Sequence, residues 1–166
     1  MLNKDKIMIL CKVVDNYGDI GVVYRLARAL SDLNPSLELS LVVSNLSSFK
    51  KMASGIDDGK EIQLFGYKNS SWKIIDWNIK ATSLDEGLKN PPDIILECFQ
   101  CGRPDWLEDI LFAEDFQRRI QIINIDYLTA EEYADEFHLL KSGTRKANVK
   151  KVFFMPGFTK KTGGLI

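Results

Sequence analysis

The sequence has few of the residues and none of the long segments that define specialised protein classes. It holds one histidine and three cysteines, and it has no run of about 20 apolar residues, the length that a membrane span needs. A chain of 166 residues buries a core without disulfides. The net charge of −1 does not indicate a protein that binds nucleic acid or a membrane surface. We therefore predict a cytoplasmic globular protein with reduced thiols, no metal, no cofactor, no nucleic-acid partner and no membrane attachment.

Strand-length apolar runs alternate with helical patterns along the chain. The predicted strands are 6–14, 37–43, 62–65, 93–97, 120–125 and 152–155. The predicted helices are 21–33, 46–53, 83–88, 104–112 and 129–137, the last opening on a capping-box sequence, TAEE. Residues 66–82 show no clear periodicity. This alternation is typical of an α/β domain with a Rossmann-like, open, mostly parallel sheet flanked by helices.

The segment 13–21 (VVDNYGDIG) follows the first predicted strand, at the sheet edge where ligands bind in such folds. It carries two carboxylates, Asp15 and Asp19, with Gly18 and Gly21. The glycines permit positive φ and close approach of a ligand to the backbone. Neither a dinucleotide fingerprint nor a P-loop is present, and two acids suit a cationic or proton-donating ligand. The alternative is that Asp15 or Asp19 only caps the helix or stabilises a turn.

Other polar residues also follow predicted strands. Glu97 could face the crevice or serve in a cap or turn, and Asp126 with Tyr127 could contact a ligand. The Cys98–Cys101 pair has the Cys-x-x-Cys form, for which a buried structural role is favoured over zinc binding or redox chemistry.

Two further features lie toward the end of the chain. The acidic residues of 131–136 form a solvated helix face or steer a basic partner, and His138 is favoured as a surface or capping residue over a catalyst. A Gly163–Gly164 pair beside two lysines could close over a diphosphate or form a simple linker.

Four separated motifs resemble those of the elongation factor P arginine rhamnosyltransferase family. They are VVDNYGDIGVVYRLARAL (13–30), ILECFQC (95–101), INIDYLTAE (123–131) and FFMPGFT with TGGL (153–159 and 162–165). Their order and their spread over nearly the whole chain make the resemblance specific.

The resemblance implies an inverting glycosyltransferase of the GT-B type that moves L-rhamnose from dTDP-β-L-rhamnose to an arginine of elongation factor P. On this interpretation residues 1–158 form the acceptor-binding N-terminal domain. Residues 159–166 begin a linker or glycine loop toward a C-terminal nucleotide-sugar domain, without which the chain would be inactive. The alternatives are a silent docking domain for elongation factor P and half of a GT-B enzyme that uses another nucleotide sugar.

By motif position, the resemblance implies that Asp19 is the general base and that Asp15 orients the guanidinium or supports the loop. Further candidates for contact with acceptor or donor are Asn16, Tyr17, Gly18, Gly21, Glu97, Asp126 and Tyr127. Gly163 and Gly164 are candidates for a diphosphate loop.

Overall fold

The computed structural model of the protein describes residues 5–15 and 17–165. One mixed sheet runs through it, with helices on both faces. Its strands are β1 (Lys6–Cys11), β2 (Glu38–Val43), β3 (Ile62–Tyr67), β4 (Ser70–Asp76), β5 (Ile94–Cys98), β6 (Ile120–Ile125), β7 (Lys141–Ser142) and β8 (Val149–Phe154). The helices are α1 (Gly18–Leu33), α2 (Leu46–Met52), α3 (Glu86–Lys89), α4 (Asp105–Leu111) and α5 (Tyr133–Phe137), with a 3₁₀ turn at Ala81–Ser83.

The strand order is β3-β4-β2-β1-β5-β6-β8-β7. The six inner strands are parallel, and β3 and β7 pair antiparallel at the two edges. The predicted open, mostly parallel α/β sheet is confirmed. Within the described residues, α1 is the longest helix, and none is long and apolar enough to cross a membrane.

Strand β1 divides the interior into two hydrophobic cores because its side chains alternate between the faces of the sheet. Ile9 and Cys11 join the core under α1 and α2, whereas Met8 and Leu10 join the core under α3 and α4. From β1 the chain passes to β2 on one side and later returns to β5 on the other. The crevice at such a reversal of strand order is where open α/β sheets bind ligands.

Several predicted boundaries differ from the observed ones. Strand β1 ends at Cys11, and α1 begins one turn early, at Gly18. The predicted capping box is wrong, because α5 begins only at Tyr133 and the Thr129 hydroxyl accepts the Glu131 amide instead. Strand β8 spans 149–154 and not 152–155.

The segment without clear periodicity contains β4, which carries Trp72. The Trp72 side chain is completely buried, and its Nε1 donates to the Ser31 hydroxyl of α1 at 2.8 Å. Around it pack the aromatic rings of Tyr24, Phe65 and Tyr67. This hairpin partner of β3 therefore ties α1 to the sheet.

Candidate active site

The loops after β1, β5 and β6 meet at the carboxyl edge of the sheet. Asp19 comes from the first turn of α1, directly after the β1 loop, and Tyr127 follows β6. Although they lie 108 residues apart, the Tyr127 hydroxyl donates to Asp19 Oδ1 at 2.5 Å. The crevice predicted at this edge thus contains a direct contact between two of the predicted site residues.

Asp19 is the most enclosed carboxylate of the β1 loop. Only 3% of the residue is exposed, yet Val14 donates its amide to Oδ2 at 3.0 Å and Tyr127 binds Oδ1. The helix amides at the start of α1 add partial positive charge that favours an anion there. Asp19 is therefore a buried carboxylate supplied with hydrogen-bond donors on both oxygens.

Asp15 supports the same turn from the outside. Its Oδ1 accepts the Asp19 amide at 3.1 Å, which satisfies one of the free amides at the start of α1. Asp15 thus makes a capping contact with the backbone, as the alternative interpretation expects. The Asp19 side chain instead binds the loop by accepting the Val14 amide. Asn16, a further candidate in this loop, lies outside the described residues.

The positive φ that the sequence suggested for the two glycines of the loop is not observed. Neither Gly18 nor Gly21 has a positive φ. A Cβ on Gly18 would lie 2.3 Å from Asp15 Oδ2, so this glycine makes room for the Asp15 carboxylate. A Cβ on Gly21 would meet the Met52 side chain at an ordinary 3.5 Å.

Gly18→Ala should displace the Asp15 carboxylate from the Asp19 amide and lower the free energy of unfolding by about 1 kcal/mol, the contribution of one hydrogen bond. Gly21→Ala is the matched control. It introduces no close contact, and it should stabilise α1 by about 0.5–1 kcal/mol because alanine favours the helix. Thermal unfolding of the two variants measures both effects. Equal unfolding temperatures would contradict this role of Gly18.

Tyr127 stacks on Phe99, the residue after β5. The ring centroids are 4.0 Å apart with an interplanar angle of 7°. The hydrogen bond to Asp19, followed by partial burial and the charges of Asp19, Asp15 and Asp126, raises the pKa of Tyr127 above its ordinary value. The hydroxyl therefore stays protonated and available as a donor.

Asp126 and Tyr17 also reach this edge, each with an existing partner. Asp126 Oδ1 accepts the Tyr127 amide at 2.8 Å, and its Oδ2 accepts Nε2 of Gln100 at 3.0 Å. Tyr17 is exposed and turns toward α2, where its hydroxyl accepts from Lys51 Nζ at 3.0 Å. Asp126 thus lies beside Tyr127, whereas Tyr17 lies on the α2 side.

Glu97 does not face the crevice as an open carboxylate, and it forms neither the cap nor the turn considered as the alternative. It is completely buried and pairs with Arg103 and with Lys151, the latter at 2.6 Å. Arg103 also binds Glu108 at 2.5 Å, and Glu108 pairs with Arg145. This chain of charges links β5, β8 and the start of α4.

The cysteines are free thiols below the same loops. The buried role predicted for the Cys98–Cys101 pair holds for Cys98, whereas Cys101 is only half-buried. Cys11 is also buried. Burial is the main cause that raises the pKa of all three thiols, that of Cys101 to about 11. Among residues 5–15 and 17–165 no group of three His, Cys, Asp or Glu side chains is placed to hold a metal ion.

The candidate diphosphate loop folds back onto the end of β8. Gly163 donates its amide to the Met155 carbonyl at 2.8 Å, and a Cβ on Gly163 would overlap the Phe154 ring at 2.3 Å. Gly164 has φ +77°, a conformation that favours glycine. The close approach to Phe154 thus explains the glycine at position 163, and the positive φ explains the glycine at position 164.

The other candidates toward the end of the chain have structural partners or face solvent. His138 ends α5 and accepts the Met155 amide on Nδ1 at 3.1 Å. Asp135 is half-buried and accepts from the Thr159 hydroxyl. The remaining acids of this segment, Glu131, Glu132 and Glu136, are exposed.

A polar recess lies at the carboxyl ends of β1, β4 and β5, and Asp15, Asp19, Asp126 and Tyr127 are not among its lining residues. Its volume is about 570 Å³, within the range of ligand pockets. Lys12, Asn78, Cys101, Gly102 and Arg103 line part of it. The edge that carries the acidic loop is therefore concave on the side packed by α4.

Comparison with known proteins gives consistent similarities. The family described as "Elongation-Factor P (EF-P) rhamnosyltransferase EarP" matches residues 7–166. A protein-arginine rhamnosyltransferase of Pseudomonas putida is 36% identical over 162 residues, covering 95% of this chain and 38% of that protein. The protein of the same name from Shewanella oneidensis is 35% identical over 163 residues, with the same coverage. One from Neisseria meningitidis serogroup B is 31% identical over 158 residues, covering 95% and 37%. The chain thus spans less than two fifths of the length of these relatives.

Proposed function

Because the chain belongs to the elongation factor P (EF-P) rhamnosyltransferase family, we propose that it is the acceptor-binding, base-supplying part of a protein-arginine rhamnosyltransferase. The observation that carries the proposal is the buried carboxylate of Asp19 at the carboxyl edge, held by Val14 and Tyr127. Asp15 and Asp126 add negative charge beside it. Such a site suits a cationic acceptor, as an arginine side chain is.

Arginine is a poor nucleophile because its guanidinium stays protonated, with a pKa above about 12. A carboxylate can accept two parallel N–H bonds from the guanidinium and can take one proton as the new bond forms. In the proposed reaction, the arginine nitrogen attacks the anomeric carbon of the sugar, and the bond from that carbon to the diphosphate breaks. The proton moves to Asp19, and the nucleoside diphosphate leaves on the opposite face with inversion.

The donor in this proposal is dTDP-β-L-rhamnose, and the acceptor is an arginine of elongation factor P. A second Rossmann-like domain of a GT-B architecture would hold the nucleotide, since the relatives are more than twice as long as this chain. Residues 163–164 are proposed to approach the diphosphate from the N-terminal side. No cofactor is required for this displacement.

The test combines full-length protein, elongation factor P and a panel of nucleotide sugars, followed by intact-mass spectrometry of the acceptor. We expect one deoxyhexose to be added with dTDP-β-L-rhamnose, and none when the target arginine is replaced by lysine. Binding without a mass change under every condition would instead indicate a docking domain. Turnover with a different donor would identify a glycosyltransferase of other sugar specificity.

A further inference from the structure

Each oxygen of the Asp19 carboxylate has a hydrogen-bond donor in the part of the chain that the structure describes. The Val14 amide donates to Oδ2, and the Tyr127 hydroxyl donates to Oδ1. A carboxylate offers about four lone-pair sites, so one bond on each oxygen is compatible with two parallel N–H groups of a guanidinium. Because both oxygens are held, the plane of the carboxylate is fixed before an acceptor arrives.

Tyr127 needs support of its own, because it follows the end of β6 and is 52% exposed. The support comes from Phe99, whose ring lies flat against it at 4.0 Å. Each ring thus restricts the orientation of the other.

The backbone that presents Phe99 is unusual. Phe99 and Gln100 both have left-handed φ values, 59° and 53°, a conformation that non-glycine residues adopt rarely. Consecutive left-handed residues persist only where their surroundings hold them. Here the Phe99 amide donates to the Ile125 carbonyl at 2.7 Å, and the Gln100 amide donates to Asn124 Oδ1 at 2.9 Å.

We propose that Tyr127, backed by Phe99, is a positioning residue that fixes the Asp19 carboxylate for proton transfer from the acceptor arginine. The inference rests on the proposed function, in which Asp19 is the base. The motifs 95–101 and 123–131 both contribute to this positioning, since the first contains Phe99 and the second contains Asn124 and Tyr127.

This role differs measurably from that of an acceptor contact. A residue that only binds the acceptor raises KM when it is altered and leaves kcat unchanged, whereas a residue that orients the base lowers kcat. Substitution of Tyr127 by phenylalanine removes only the hydroxyl and keeps the ring on Phe99. Because the side chain is half-exposed, the change does not disturb the core.

The experiment measures steady-state kinetics of the full-length enzyme with elongation factor P as the varied substrate. For Tyr127→Phe we expect kcat to fall about 10- to 100-fold, the effect of one hydrogen bond to a charged group, with KM changed less than about threefold. Phe99→Leu loses the stacking contact and should lower kcat by about 3- to 10-fold. Tyr133→Phe, a matched change on exposed α5, should leave both constants unchanged.

Asp19→Asn is measured in parallel to separate the two proposals. If Asp19→Asn is inactive and Tyr127→Phe has wild-type or higher kcat, the positioning role is overturned and the base assignment stands. If Tyr127→Phe raises only KM, Tyr127 is an acceptor contact and the positioning role is again overturned. If Asp19→Asn turns over normally, both the base assignment and the positioning role fail.

Discussion

Asp19→Asn is expected to lower kcat for arginine rhamnosylation by about 10²- to 10⁴-fold, the usual contribution of a general base. The amide cannot take the proton that the guanidinium must lose. The fold should survive, because the asparagine oxygen can accept the Val14 amide while its nitrogen donates to the Tyr127 hydroxyl, which can serve as acceptor. Intact-mass kinetics of elongation factor P measures the loss.

Asp32→Asn is the matched control on the same helix. Asp32 lies in the last turn of α1, away from the acidic loop, where it accepts from the exposed Lys68 and from the half-buried Tyr67 hydroxyl. It should leave turnover unchanged. Normal turnover by the Asp19 variant, with a thermal unfolding curve like that of the wild type, would remove Asp19 from the mechanism.

Glu97→Gln should be the most destabilising conservative change at the carboxyl edge, by about 3–5 kcal/mol, since it removes the buried anion that Arg103 and Lys151 share. Glu97 is completely buried between Arg103 and Lys151, whose side chains are only 15% and 19% exposed. Urea unfolding, with the midpoint and slope fitted together, measures the change. An unfolding midpoint equal to that of the wild type would contradict this account.

Two comparisons sharpen that measurement. Asp93→Asn removes the carboxylate of an exposed pair with Arg118 and should change the midpoint little. Combining Glu97→Met with Lys151→Met removes an ion and its partner together, while Arg103 keeps Glu108. The double variant should therefore be more stable than Glu97→Met alone.

The sequence predicts the central strands β1 and β5 well because they are buried on both faces and form nearly continuous apolar runs. Strand β4 was missed for the opposite reason. Its buried residues Trp72, Ile74 and Ile75 are interrupted by Lys73 and follow two serines, so no period stands out. Its place in the sheet depends on the hairpin with β3 and the bond from Trp72 to α1, which local patterns do not encode.

The candidate site was predictable in its location and not in its contacts. Strand ends placed Asp15, Asp19, Asp126 and Tyr127 at one edge, and the structure shows them there. The same rule misplaced Glu97, because the sequence does not show that Arg103 and Lys151 come to it from another loop and another strand. Phe99 was missed as a site residue, since its positive φ and its stacking on Tyr127 leave no local signal.

Burial keeps the thiols below the loops protonated, which lowers their reactivity toward oxidants. Peroxides and alkylating reagents attack the thiolate, and a pKa of about 11 leaves about one Cys101 in 10⁴ ionised at pH 7. Cys11 and Cys98 are better protected still, since burial raises their pKa further and excludes the reagent. The thiols below this edge are therefore expected to react slowly with thiol reagents while the protein is folded.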